Sequence, residues 1–258
     1  MIKLAVFGAG GRMGRAIVRL AAEGKTFTVV RAIDGSATGD AGLVAGTTEL
    51  DVPFTRSATD LGDAEAVIDF SAPGALPDSA EAAAAHGAAF VSGTTGLDSE
   101  GLLALDACSA RVPTLWEPNM SVGVHVLGEL LRRAIAMLGE SFDIEIVEAH
   151  HKRKLDAPSG TAKRLAEIAK DARGGGRYVH GREGKAAARG KDDIGVLAIR
   201  GCDVIGDHHV HLLGEGERIE LVHRASSREL FAAGALRAAA WLVGKPAGRY
   251  GLEDVLRS

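Results

Sequence analysis

Two adjacent histidines, His150 and His151, precede a basic run, Lys152-Arg153-Lys154, and then a turn, Ala157-Pro158-Ser159-Gly160-Thr161. Imidazole titrates near pH 6.5, so a histidine can hold a proton near neutrality and give it up. Lys154 adds a point charge four residues past His150. Ser159-Gly160-Thr161 opens an apolar-periodic helix, and a helix start presents unpaired N–H groups and the positive end of the dipole. Together these suit a small, doubly negative molecule that needs a proton. Composition alone equally allows a solvated basic loop followed by an ordinary Ser/Thr helix cap.

A second set of residues lies at the N-terminus. Ile2 to Phe7 is a short apolar run of the kind buried in a parallel sheet. Gly8-Ala9-Gly10-Gly11-Arg12-Met13-Gly14 follows, then a helix to about Glu23 and a strand, Phe27 to Ile33, ending at Asp34. The glycines fit Gly8-x-x-Gly11-x-x-Gly14 and not G-x-G-x-x-G, because Met13 holds the sixth position. Gly8 makes the tight turn, Gly11 lets backbone approach a pyrophosphate, and Gly14 lets helix pack on strand. Asp34 is placed to accept hydrogen bonds from ribose hydroxyls. Gly35 and Ser36 follow it, with no arginine for a 2′-phosphate, so the reading is NADH or NADPH with a lean to NADH. Arg12 and Arg31 are near enough in sequence to admit NADPH. Gly93-Thr94-Thr95-Gly96 ends a strand, Ala89 to Ser92, where open α/β sheets bind ligands. A plain turn is the alternative there.

The elements that position these residues change character along the chain. Strands at Ala64 to Phe70 and Val112 to Trp116 alternate with helices at Ala75 to His86 and Glu100 to Ala110. Alternation then stops, which places a junction near Ser121, and a long apolar-rich helix covers Val124 to Leu138. Strand Phe142 to Glu148 alternates, with Ile144 and Ile146 on one face. A helix spans Thr161 to Arg173, and the Gly- and charge-rich stretch from Gly174 to Asp193 reads as a mobile loop. Short strands follow at Ile194 to Arg200, Asp203 to Ile205, His208 to Leu213 and Arg218 to Ala225. Helix Leu230 to Val243 and a short terminal helix close the chain, and the former can return to cover the first sheet. The expected fold class is α/β, an N-terminal Rossmann-type parallel sheet plus a C-terminal α+β domain with a mixed, largely antiparallel sheet. The expected domains are 1–121 plus 231–258 for a dinucleotide and 122–230 for substrate and oligomerisation.

The chain has 258 residues, 46% of them hydrophobic, and a net charge of −4. That suffices for a sizeable core and argues against a general nucleic-acid binder. Cys108 and Cys202 are too few for a disulfide framework, so a reducing cytoplasm is the expected setting. The N-terminus lacks the features of a signal peptide, and no apolar run reaches membrane-spanning length. His208, His209 and His211 invite a metal, but in an alternating strand only His209 and His211 share a face, with no Cys or acid cluster nearby; no metal is expected. Cys202 lacks the strand-to-helix setting of a nucleophile.

These residues together closely resemble the 4-hydroxy-tetrahydrodipicolinate (dihydrodipicolinate) reductases of lysine and diaminopimelate biosynthesis. The resemblance covers nearly the whole chain. Its specific part is the run Glu148-Ala149-His150-His151, Lys154 and Asp156-Ala157-Pro158-Ser159-Gly160-Thr161-Ala162. Pro118-Asn119-Met120-Ser121-Val122-Gly123-Val124, Arg200-Gly201, Gly206-Asp207-His208 and His223-Arg224-Ala225-Ser226-Ser227-Arg228 extend it. It implies that Gly8, Ala9, Gly10, Gly11, Arg12, Met13, Asp34, Gly93, Thr94, Thr95, Glu117, Pro118, Asn119 and Met120 line a nicotinamide cofactor. It implies His150 as the proton donor with Lys154 beside it, and His151, Lys154, Ser159, Gly160 and Thr161 around the carboxylates of a cyclic dicarboxylate. It implies a homotetramer built through the second domain's sheet. Two residues depart from the family pattern: Glu117, where a small residue is usual, and His125, where asparagine is usual. Other readings are a two-domain dehydrogenase that shares only the first half and a non-catalytic dinucleotide sensor, which needs no proton donor.

Overall fold

The computed structural model describes residues 1–185 and 188–257. Its contacts divide the chain into two compact units, Met1–Val122 together with the segment from Arg228 onward, and Gly123–Ser227. No helix among the described residues is long and apolar enough to cross a membrane.

The first unit opens with β1 (Ile2–Phe7), α1 (Arg12–Glu23), β2 (Phe27–Ile33), α2 (Ala41–Ala45) and β3 (Phe54–Thr55). It continues through β4 (Ala66–Asp69), α3 (Leu76–His86), β5 (Ala89–Ser92), α4 (Ser99–Ser109) and β6 (Pro113–Trp116). The second unit holds α5 (Val122–Leu138), which starts at the junction, then β7 (Asp143–His150), α6 (Gly160–Arg173), β8 (Arg177–Val179), β9 (Asp193–Arg200), β10 (Asp207–Gly214) and β11 (Glu217–Arg224). The chain then returns to the first unit as α7 (Glu229–Leu242), β12 (Gly248–Tyr250) and α8 (Leu252–Leu256).

Among the described residues the first sheet has seven strands in the order β12-β6-β5-β4-β1-β2-β3, all parallel. Its central strands are buried throughout, as the Ala-Val-Ile-Asp of β4 and the Ala-Phe-Val-Ser of β5 require when helices cover both faces. Successive residues of β1 divide between two cores. Leu4 and Val6 join Ile17 of α1 and Leu242 of α7, while Ala5 and Phe7 join Leu76 of α3 and Leu105 of α4. Helix α7 comes close because Gly234 has no side chain; a Cβ there would lie 1.8 Å from the Met120 carbonyl oxygen.

The second sheet is mixed, in the order β11-β10-β7-β9-β8. Strand β10 pairs antiparallel with β11 and β7, whereas β9 runs parallel to β7 and β8. Strand β7 alternates buried and half-buried residues from Asp143 to His150. Ile144 and Ile146 pack with Val210, Leu212, Ile194 and Val196 beneath Leu131 of α5 and Leu165 of α6. The opposite face carries exposed Ile199 and Val222, and His209 stacks on His211 with ring centroids 6.1 Å apart.

Several local expectations change. β7 runs two residues past Glu148, so His150 lies inside the sheet. No strand forms at Asp203 to Ile205; Cys202 and Asp203 make a turn, with Cys202 in the left-handed region at φ 38°. Within the expected loop from Gly174 to Asp193, Arg177–Val179 forms the edge strand β8, and Arg182 and Arg189 reach Glu145 at 2.9 and 3.2 Å. Ala186 and Ala187 of that stretch lie outside the described residues. Strands as short as β3, β8 and β12 carry too few residues for a periodicity to register.

Candidate active site

In the first unit the turn after β1 is fixed by what a side chain would strike. Gly8 has φ 69°, and a Cβ there would meet the Phe70 carbonyl oxygen at 2.5 Å. A Cβ on Gly14 would meet the Gly8 carbonyl oxygen at 2.1 Å, so α1 packs directly on the turn. A Cβ on Gly10 would meet that of Ala37 at 2.5 Å, a constraint the three-glycine spacing did not assign. No side chain caps the start of α1, where Gly11 and Arg12 are exposed. A glycine cradle at a bare helix start fits a pyrophosphate.

Asp34 is less free than its position at the end of β2 suggests. Its Oδ2 accepts the Gly10 N–H at 2.9 Å, and its Oδ1 accepts from the Ser36 N–H, the Ser36 hydroxyl and the Ala37 N–H. Burial pushes its carboxyl upward, but the bonds from Ser36, Ala37 and Gly10 outweigh that and hold it below its ordinary value. Asp34 therefore shapes the glycine turn.

Gly93 sits against the Phe70 ring, where a Cβ would meet the ring at 2.2 Å. Thr94 is buried; its hydroxyl donates to Asp69 Oδ2 at 2.7 Å, and its carbonyl accepts from the Trp116 indole at 2.8 Å. Thr95 is exposed. Asp69 gathers the Ser71, Ser92 and Thr94 hydroxyls, and its burial pushes its carboxyl up against their pull. The Glu117 N–H continues the sheet pairing by donating to the Ser92 carbonyl at 3.1 Å. Pro118 is exposed, and Asn119 Oδ1 accepts from the Ser121 N–H at 2.9 Å. Met120 is core, so only its backbone is left to line a ligand.

In the second unit the apolar face of β7 turns polar at its end. Ile144 and Ile146 give way on the same face to Glu148 and His150. Across the sheet His208 of β10 stands opposite Glu148, and Arg200 of β9 stands opposite His150. Glu148 is fully buried, and four bonds hold its carboxylate. Arg200 donates to both oxygens at 2.8 Å, the Ser159 N–H donates to Oε1 at 2.9 Å, and His150 Nδ1 meets Oε2 at 2.6 Å. Burial pushes the Glu148 carboxyl up; the Arg200, His150 and Ser159 bonds reverse that and hold it low. Arg200 also donates to the Asp156 carbonyl at 2.7 Å, which ties the sheet to the turn before α6.

That turn contains a cis Ala157–Pro158 peptide and ends at Ser159, the N-cap of α6. The Ser159 hydroxyl accepts the Ala162 N–H at 3.2 Å and lies 3.3 Å from His208 Nε2. The Ser159 N–H is taken by Glu148, so it is not among the helix-start N–H groups open to a ligand. Lys154 Nζ pairs with Asp156 at 2.8 Å and holds that carboxyl below its ordinary value. His151 follows directly on the end of β7, with its carbonyl accepting from the Lys154 N–H at 3.0 Å. Burial and the neighbouring charges of His150, His223 and Lys154 push His208 down to about 4, so it is neutral at pH 7. Its ring meets the edge of His150 at 5.3 Å. Gly206 keeps the far side of His150 clear, since a Cβ there would lie 3.0 Å from Nε2.

The second unit thus presents an imidazole fixed through one nitrogen, an ammonium group and a helix start. Glu148, Arg200 and Gly206 had no assigned role on sequence grounds. The signal for Glu148 was available in the period-two spacing from Ile144 through His150. Arg200 needed the pairing register.

Residues 2–120 match the family model "Dihydrodipicolinate reductase, N-terminus", and residues 123–256 match "Dihydrodipicolinate reductase, C-terminus". A 4-hydroxy-tetrahydrodipicolinate reductase of Anaeromyxobacter sp. (strain Fw109-5) is 48% identical over 262 residues, covering 99% of this chain and 98% of the relative. That of Methanopyrus kandleri is 47% identical over 266 residues, covering 99% and 97%. Among solved structures, a dipicolinate-bound dihydrodipicolinate reductase from Paenisporosarcina sp. TG-14 shares the fold with a TM-score of 0.78, at 22% identity and 97% coverage of each chain. A structure of GenD2 from gentamicin A biosynthesis in complex with NAD aligns with a TM-score of 0.58 at 13% identity, covering 99% of this chain and 90% of that one.

Proposed function

The chain belongs to the dihydrodipicolinate reductase family, nicotinamide-dependent oxidoreductases of lysine and diaminopimelate biosynthesis, and from that premise we propose its substrate, cofactor preference and acid. The substrate is 4-hydroxy-tetrahydrodipicolinate, a small cyclic dicarboxylate, reduced to tetrahydrodipicolinate with loss of the hydroxyl as water. NADH is preferred over NADPH, and when bound it supplies the hydride.

The protein's own part is charge, orientation and one proton. Lys154 and the N–H groups of Gly160 and Thr161 take the substrate carboxylates, with His151 as a further contact. Charge-assisted bonds of this kind contribute roughly 1.5–3 kcal/mol each. His150 gives its Nε2 proton to the ring atom beside the carbon that receives hydride. Such an acid contributes about 10²–10⁴-fold in rate. The observation that carries this reading is the His150 Nδ1 contact with Glu148, which leaves Nε2 as the nitrogen beside the gap at Gly206. Asp34 supports the NADH preference, since the residues after it, Gly35 and Ser36, bring no cation for a 2′-phosphate.

The exposed face of the second sheet, with Ile199 and Val222, supports a homotetramer joined there. The two free cysteines suit the cytoplasm. A coupled assay tests the whole reading: fresh dihydrodipicolinate synthase product is mixed with enzyme and NADH or NADPH, and nicotinamide absorbance is followed. Faster loss with NADH is expected. No loss with either cofactor would overturn the substrate assignment, and faster loss with NADPH would overturn the preference.

A further inference from the structure

We propose that Glu148 is a positioning residue for catalysis: it fixes the His150 ring so that Nδ1 carries a permanent hydrogen and Nε2 alone exchanges the proton used in turnover. The proposal rests on His150 being the acid. Three features of the structure support it.

First, Glu148 can only accept. Both of its oxygens receive Arg200 N–H bonds at 2.8 Å, and one also receives the Ser159 N–H at 2.9 Å. An ionised carboxylate so held has no hydrogen to offer, so the 2.6 Å contact with His150 Nδ1 needs the hydrogen on the imidazole. Second, the ring has little freedom to turn. A flipped ring would set a carbon against a fully buried carboxylate and break a short charge-assisted bond. His208 packs edge-on at 5.3 Å, and Gly206 borders Nε2 on the far side. Third, the carboxylate is not spare. Arg200 balances its charge, which lets a buried anion sit beside the acid at no cost of an unpaired charge. Once the Nε2 proton is given up, the remaining neutral ring is already in the tautomer that takes up the next proton at the same nitrogen.

The test is a double-mutant cycle with a spectroscopic arm. In Glu148→Gln, kcat should fall by about 10²-fold or more, up to the loss seen when the acid itself is removed, while KM for substrate changes little. In the His150→Gln background, adding Glu148→Gln should cost nothing further, because the effect runs through the ring. An equal loss in both backgrounds, or none in either, overturns the positioning role. If His150→Gln alone keeps wild-type kcat, the acid assignment fails and takes the positioning role with it; that result is separable from the others. Should Glu148→Gln fail to fold, ¹⁵N-histidine NMR on the wild-type enzyme decides. The resonance missing in His150→Gln should show the Nδ1–H form of the neutral ring, and an Nε2–H form would overturn the proposal.

Discussion

Arg200 and Glu148 meet as a two-pronged ion pair, with both bonds 2.8 Å long and the carboxylate fully buried. They lie 52 residues apart in sequence and come together because β9 pairs parallel with β7. The pair joins the sheet, the His150 ring and the turn before α6. Removing the guanidinium leaves a buried anion without compensation, which typically costs about 3–5 kcal/mol. Arg200→Gln should therefore lower the urea midpoint sharply, by about 3 kcal/mol in stability. Arg200→Lys should fall between, since an ammonium cannot reproduce the fork. Equal midpoints for all three proteins would show that the pair adds nothing to stability.

His150→Gln and Lys154→Ala should separate in steady-state kinetics. The first removes the proposed proton donor and should lower kcat by about 10²-fold or more, with KM for substrate little changed. The second removes the proposed carboxylate contact and should lower kcat while raising KM. NADH titration by fluorescence should be unchanged in both, because the residues proposed for the cofactor belong to the first unit. Wild-type kinetics in either variant would remove that residue from the site.

The glycine loop predicts a contrast between two small substitutions. In Gly14→Ala the new methyl would lie 2.1 Å from the Gly8 carbonyl oxygen, so turn and helix must part. A loss of about 2–3 kcal/mol is expected, together with loss of NADH binding. In Gly11→Ala the nearest atom is 3.1 Å away, and the position is exposed. That variant should lose much less stability than Gly14→Ala, since the neighbour need give only a few tenths of an ångström, and should bind NADH more weakly if the methyl enters the proposed cradle. Thermal unfolding beside fluorescence titration distinguishes the two; equal stabilities would contradict the packing argument.

Two buried groups make the protein acid-sensitive. His208 is held near 4, below its ordinary 6.5, chiefly by burial. Below pH 6.5 the unfolded chain binds a proton there that the folded chain refuses, so stability falls as pH drops from 6.5 toward 4. The full effect approaches about 3 kcal/mol. Glu148 acts in the same direction at lower pH, since its folded carboxyl is depressed and its contribution is lost as it protonates. His208→Gln should flatten the stability profile between pH 6.5 and 5 while leaving the steeper loss below. A parallel profile for wild type and variant would show that His208 is not the sensitive group.

The legible and the hidden parts of the molecule divide by range. The α/β class, the parallel first sheet and the mixed second sheet were readable because burial imposes a period on every element, and that period lies within a few residues of chain. The boundaries of β7 were not, since Glu148 and His150 continue an apolar face with ionisable residues that local hydropathy reads as surface. The burial of the Met120 side chain was not legible either, since it joins a core to which α7, far along the chain, contributes, with Gly234 against the Met120 backbone.

The same holds at the site. The chemical inventory is local: two histidines, a lysine and a helix start in one stretch, a glycine turn and Asp34 in another, at spacings that local geometry makes meaningful. How those groups are used depends on contacts between distant segments. The tertiary structure committed the Ser159 N–H to Glu148, put Arg200 opposite His150, bound the Asp34 carboxylate into the turn at Gly10, and made His208 a buried neutral neighbour. The physical reason is that a hydrogen bond is settled by which groups meet at about 3 Å, and strands far apart in sequence meet only when their register is set.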